Sequence, residues 1–161
     1  MKILTLDAVA CAAARDWLAE LLLDALGDGP ALGFFPGLSI DGARRYWRDI
    51  ETSVAHGRRV VVAAIQDGML VGSSQLVLRD GIDADSAELR AILVRRSARR
   101  RGIGSVLVRA LEAEARLLGR DRVYAEADPG SGADELVRDL GYAPEGAEGH
   151  LAKTLRMPEV A

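Results

Sequence analysis

One stretch, residues 87–118, limits what this chain can fold into more than any other. An apolar run over residues 89–94 leads into an arginine-rich turn over 95–101, and a long amphipathic segment then starts through Gly102-Ile103-Gly104. The pattern reads as strand, turn and helix. A glycine turn that opens a helix leaves its first backbone N–H groups without intrahelical partners, where the helix dipole already favours negative charge. An anion site, and in particular a phosphate site, is expected there. Arg95, Arg96, Arg99, Arg100 and Arg101 crowd into the same turn, and their mutual repulsion asks for an anion to offset it. Two common nucleotide motifs do not fit. The Gly-Lys-Ser/Thr of a Walker A loop is absent, and Leu107 stands where a dinucleotide fingerprint needs its third glycine.

The rest of the chain supplies a sheet and helices around that turn. Ile3, Leu4 and Leu6 predict a first strand, after which Asp7 caps a helix reaching about Leu26, with Trp17, Leu18, Leu21, Leu22 and Leu26 on its core face. A Gly/Pro-rich loop holding Phe34 and Phe35 follows. A second helix starts at Ser39 and turns Ala43, Tyr46, Trp47 and Ile50 inward. Residues 58–65 and 69–78 predict a hairpin joined by Gln66-Asp67-Gly68. After the glycine turn, Val106, Leu107, Ala110, Leu111, Ala113, Leu117 and Leu118 should line the core while Arg109, Glu112 and Arg116 face outward. A strand over 121–127, a short helix over 134–140 and strands over 142–144 and 151–155 complete the reading.

With 161 residues and 49% hydrophobic content, the chain suits one domain, 1–161. Its net charge of −3 confines the basic character to the turn and argues against nucleic acid as a partner. Cys11, the sole cysteine, excludes an internal disulfide and reads as a buried small residue. Neither a signal-peptide core nor a membrane-length apolar run is visible, so no membrane partner and a cytoplasmic location are expected. One cysteine and two distant histidines predict no metal site.

Arg99-Arg100-Arg101-Gly102-Ile103-Gly104 matches the spacing Arg/Gln-x-x-Gly-x-Gly/Ala, and in its strand-turn-helix setting the chain resembles the GNAT superfamily of N-acetyltransferases. The order of Gly33-Phe34-Phe35-Pro36-Gly37, Tyr46-Trp47, the 57–63 strand, Ala87-Glu88-Leu89 and the arginine turn is closest to the tabtoxin-resistance type. The resemblance implies an α/β (α+β) fold: a mixed, largely antiparallel, splayed sheet of six or seven strands with about four flanking helices. It further implies acetyl-coenzyme A as cofactor. The pantetheine arm would run beside Ile92, Leu93 and Val94, with the pyrophosphate held by Arg99, Arg100, Arg101, Gly102, Ile103, Gly104 and Ser105. The acceptor would be a primary amine on a small molecule, attacked directly.

Acetyl transfer to an amine needs a neutral nitrogen, a stabilised oxyanion and a proton for the departing thiolate. An alkyl ammonium with pKa near 10 is about a thousandfold protonated at neutral pH, so a proton acceptor matters. The resemblance places a carboxylate at Glu88, the first candidate, and an acidic residue at Glu126. A backbone N–H near Leu93 or Val94 would meet the oxyanion. Where many relatives carry a thiolate-protonating tyrosine, this chain has Val137, which leaves water, Tyr142 or Tyr124 for that step. A noncatalytic acyl-coenzyme A sensor, or acetylation of a protein N-terminus or lysine, stands as the alternative. Exposed strand ends and helices are compatible with a homodimer.

Overall fold

The computed structural model describes residues 1–27 and 38–156. In chain order these form β1 (Lys2–Leu6), α1 (Ala8–Ala13), α2 (Arg15–Leu26), α3 (Ile40–Ala55), β2 (Arg59–Gln66), β3 (Met69–Leu78), β4 (Ser86–Val94), α4 (Ile103–Leu117), β5 (Arg122–Glu126), α5 (Gly132–Asp139), β6 (Ala143–Pro144) and β7 (His150–Thr154). The Phe34 and Phe35 loop lies outside the described residues.

Seven strands make one sheet in the order β1-β2-β3-β4-β5-β7-β6. Every neighbouring pair is antiparallel except β4 and β5, which run parallel because α4 carries the chain from one to the other. Helices cover both faces. Cys11, Leu18, Leu21, Leu22, Trp47 and Ile50 from α1–α3 pack with Val61, Ala63, Leu70 and Leu93 on one side. Leu107, Val108, Leu111 and Ala115 of α4 and Val137 of α5 pack with Val62, Leu76, Leu89 and Val123 on the other. Alternation along each strand decides which residues face which layer. Gly72 allows α4 to come close to β3, since a Cβ there would meet Ile103, Leu107 and the Leu93 carbonyl at 3.0 Å.

Three expectations need correction. The first predicted helix is two helices broken at Ala14, which brings the α-helices among the described residues to five. Arg15, at the start of α2, is fixed by two hydrogen bonds to the Glu51 carboxylate of α3, at 2.7 and 2.6 Å. Trp17 is 64% exposed and is not part of the core face. On α4 four assignments are reversed: Ala113, Leu117 and Leu118, expected in the core, are exposed, Leu117 by 81%, whereas Glu112, expected outward, is only 3% exposed. Glu112 can be buried because its carboxylate accepts a hydrogen bond from the Tyr142 hydroxyl at 2.8 Å and pairs with Lys153 Nζ at 3.0 Å.

Candidate active site

The site grows out of the one parallel strand pair. β4 and β5 stay in register from Ser86–Arg122 to Leu89–Ala125 and then separate. β5 follows β7, with Glu126 opposite His150 and the Ala127 N–H bonded to the Gly149 carbonyl at 2.9 Å. β4 continues alone on that side from Arg90 to Val94. One edge of it is thereby left without a neighbouring strand, an opening that extended, amide-bearing chains can complete.

A bulge re-aims that free edge. Gln75 pairs with Arg90 and Ser73 with Leu93, so Ala91 and Ile92 of β4 oppose the single residue Ser74 of β3. Ala91 takes the extra turn at φ +51°, a left-handed conformation that costs a non-glycine residue about 1–2 kcal/mol. The Ser74 hydroxyl donates to the Arg90 carbonyl at 3.2 Å, anchoring the bulge.

Beyond β4 the chain turns into α4 through Arg100 at φ +64° and Gly102 at φ +77°. No side chain caps the helix, and among the described residues the backbone N–H groups of 100–105 have no protein acceptor. Nothing lies within 4 Å of the position a Cβ on Gly102 would take. Successive free N–H groups in alternating conformations at a helix N-terminus form a concave anion site.

The arginines of this turn divide into two groups. Arg95 donates to the Leu70 carbonyl at 3.1 Å, and Arg99 donates to the Val94 and Ala25 carbonyls at 3.2 and 2.7 Å. The Arg96 guanidinium lies against Gly27, in the space a Cβ there would fill, while the backbone N–H of Arg96 donates to the Asp24 carboxylate at 2.8 Å. These three dock the turn on the C-terminal end of α2 and on β3, so their crowding needs no ligand anion to explain it. Arg99, which belongs to the expected phosphate-binding set, thus already has two main-chain acceptors in the protein. Arg100 and Arg101 are exposed and have no carboxylate partner among the described residues. Gly104 also acquires a second reason to be glycine, because a Cβ would come 2.5 Å from the Leu136 side chain of α5.

Two of the predicted catalytic residues share a face. Glu88 lies opposite Tyr124, one residue before the strands part, and both point to the α1–α3 side with Glu126 and His150. The Glu88 carboxylate is paired with Arg90 at 3.2 Å and Arg79 at 3.6 Å. Glu126 is exposed beside His150 Nε2, 3.5 Å away. Tyr142 is not brought to them. It is buried among the α4-side residues, and its hydroxyl donates to Glu112. Burial first, and then the adjacent Glu112 carboxylate, raise its pKa far above that of an ordinary phenol. Val137 is fully buried in α5, and Asp134, which fixes the start of that helix, is held below the usual carboxylate range by Arg138 and the Gly130 N–H.

The sequence reading passed over a polar cluster on the α1–α3 side. Gln75, fully buried, accepts from Arg59 at 2.6 Å and donates to the Tyr46 hydroxyl at 3.0 Å. The available signal was Ser73-Ser74-Gln75, three polar residues in the middle of an otherwise apolar strand.

A model of the acetyltransferase (GNAT) family matches residues 23–142. The chain belongs to the GNAT family of acetyltransferases. The likeness extends to solved structures over nearly the whole length. Aminoglycoside 6'-acetyltransferase type Ii superposes with a TM-score of 0.76 at 26% identity, covering 98% of this chain and 100% of that one. An aminoglycoside 6'-N-acetyltransferase complexed with coenzyme A gives 0.74 at 23% identity, over 99% and 100%. A ribosomal-protein-alanine N-acetyltransferase from Brucella melitensis shares the fold, with 0.70 at 20% identity over 96% and 100%.

This GNAT protein is therefore an N-acetyltransferase with acetyl-coenzyme A as its acetyl donor. Its residues fit that donor at both ends: the free amides of 100–105 with Arg100 and Arg101 suit a diphosphate, and the unpaired edge of β4 suits the amides of a pantetheine arm. Among the described residues no helix is long and apolar enough to cross a membrane, and no group of three or more His, Cys, Asp or Glu could hold a metal.

Proposed function

We propose that residues 1–161 form one catalytic unit that acetylates a primary amine of a small molecule by direct attack. The observation that carries this reading is the parting of β4 and β5 after Leu89 and Ala125, directly before a turn of free amides. Acetyl-coenzyme A supplies an acyl group already activated as a thioester. The main-chain amides of 100–105 and Arg100 and Arg101 hold its diphosphate, and Ile92, Leu93 and Val94 line its arm. A backbone N–H near Leu93 or Val94 meets the developing oxyanion.

Glu126 takes the proton from the ammonium group of the acceptor. Its carboxylate has His150 Nε2 beside it at 3.5 Å, whereas that of Glu88 is engaged by two arginines. This supports Glu126 ahead of Glu88, which instead orients Arg79 and Arg90. With Val137 apolar and the Tyr142 hydroxyl bound to Glu112, water protonates the thiolate, a tolerable leaving group with pKa near 8.5. Similarity to an aminoglycoside acetyltransferase at 26% identity supports a small acceptor rather than a protein. The nearest subtype remains the tabtoxin-resistance kind, supported by the order of sequence motifs alone.

The test is to incubate the protein with acetyl-coenzyme A and a panel of amines while following free thiol. Amine-dependent thiol release, reduced at least tenfold at neutral pH in Glu126→Gln, is expected. Coenzyme A binding without amine-dependent release would contradict the reading.

A further inference from the structure

Three guanidinium groups stand on the acceptor side of the sheet where β4 leaves β5. Arg59 on β2 and Glu88 on β4 both pair with Val77 of β3 from opposite sides, which puts them on one face, and Gln75 brings Arg90 to that face in the next row. Arg79, just past the end of β3, reaches Glu88 at 3.6 Å and stacks over the Tyr124 ring at 4.2 Å. Arg90 is the first residue of β4 beyond the last pair with β5, and so borders the opening itself.

The charges there do not cancel. Of Arg59, Arg79 and Arg90, two share the single carboxylate of Glu88, and Glu126, on the same face, lies beside His150 with no arginine partner among the described residues. Arg59 is half-buried and has no carboxylate partner among the described residues, with only the neutral oxygens of Gln75 and Ser53 as acceptors. Burial pulls its pKa below the usual guanidinium value, and the nearby Arg90 adds to that effect, while Tyr46 and Glu88 oppose it. A partly desolvated, unpaired cation is costly to maintain unless a ligand supplies the counter-charge. Gln75 and Tyr46 hold Arg59 in place, so the site is built in advance of any ligand.

We propose that the acceptor amine carries an acidic group, a carboxylate or a phosphate, which docks on Arg59 and Arg90 with Arg79 beside them. The inference rests on the reading of this site as the acceptor side of an N-acetyltransferase. It separates this enzyme from acetyltransferases of polycationic acceptors, since a second ammonium group would be repelled by the same guanidinium groups. Arg90 acts on specificity: it binds the acidic group and takes no part in the transfer.

The experiment compares matched acceptors: α-amino acids against their carboxamides for the carboxylate, and aminoalkyl phosphates against the corresponding amino alcohols for the phosphate. At least one acidic series should show kcat/KM tenfold or more above its neutral counterpart, carried by KM, and the series that wins identifies the acidic group. In Arg90→Gln and Arg79→Gln that ratio should collapse towards one through KM, with coenzyme A affinity retained as the check on folding. Equal turnover of acidic and neutral members, or a preference for polycationic amines, overturns the inference and leaves the transferase reading standing. If no amine is acetylated the transferase reading fails, and calorimetric titration of the coenzyme A-loaded protein with the same pairs then decides the anion site. Selective binding of acidic members, lost in Arg90→Gln, upholds it; binding without selectivity, or none, ends it.

Discussion

Leu89 and Ala125 form the last pair at which β4 and β5 lie side by side, and the proposed coenzyme A site is built on their separation. From Arg90 onward β4 presents a free edge. Fourteen residues after Leu89, at Ile103, the main chain reaches a helix start with open amides.

If Arg100 and Arg101 supply the side-chain half of the diphosphate site, Arg100→Gln with Arg101→Gln lowers coenzyme A affinity by about 1–3 kcal/mol. The loss should shrink as salt rises, because both groups are exposed. Titration with pantetheine, which has no diphosphate, should give the same affinity for variant and wild type.

Ala91 holds a left-handed conformation within the bulge. A β-branched residue tolerates that conformation poorly, so Ala91→Val should lose about 1–3 kcal/mol in urea unfolding and raise KM for acetyl-coenzyme A. Ala91→Gly should retain both, because glycine adopts the same angles without a steric cost.

Tyr142 and Lys153 together satisfy the buried carboxylate of Glu112. Tyr142→Phe should cost about 1–3 kcal/mol of stability and leave the thiol-release rate unchanged, since the hydroxyl is used in structure. Lys153→Met should cost more, about 3–5 kcal/mol, by leaving a buried charge unpaired. Restoring neutrality with Glu112→Gln in the Lys153→Met background should recover part of that loss.

Burial, with Glu51 and Asp7 adding to it, pushes the Cys11 thiol up to about 11 from 9.0. Tyr142 is raised in the same direction from 10.0. Below about pH 8 both groups are neutral whether the chain is folded or not, and their contribution to stability is complete. As pH climbs from 9 towards 11, only the unfolded chain releases the thiol proton, so stability falls, by about 2–3 kcal/mol for Cys11 alone. Urea midpoints at pH 8 and pH 11 measure the drop, which should be smaller in Cys11→Ala. A thiol reagent at neutral pH should label Cys11 only on unfolding.

Much of this was legible in the sequence because local signals and tertiary structure agreed. The strand, arginine turn and Gly102 start of α4 appear where the 89–118 pattern predicts them. Periodicity failed where a polar residue is buried through distant partners. Glu112 reads as an outward residue until Tyr142 and Lys153, 30 and 41 positions away, close around it. The break at Ala14 carries no glycine or proline and lies in an alanine-rich run, so nothing local announces it. The docking role of Arg95, Arg96 and Arg99 was equally hidden, since their acceptors sit on α2 and β3, about 25 to 75 positions earlier. The acceptor-side cluster of Arg59, Gln75 and Arg90 exists only once strand register is known.

Amide hydrogen exchange with and without saturating coenzyme A tests the site most directly. Protection on binding should concentrate in two segments, residues 90–94 on the free edge of β4 and 100–105 at the start of α4. Protection confined to other parts of the sheet, with both segments exchanging as in the free protein, would contradict the site.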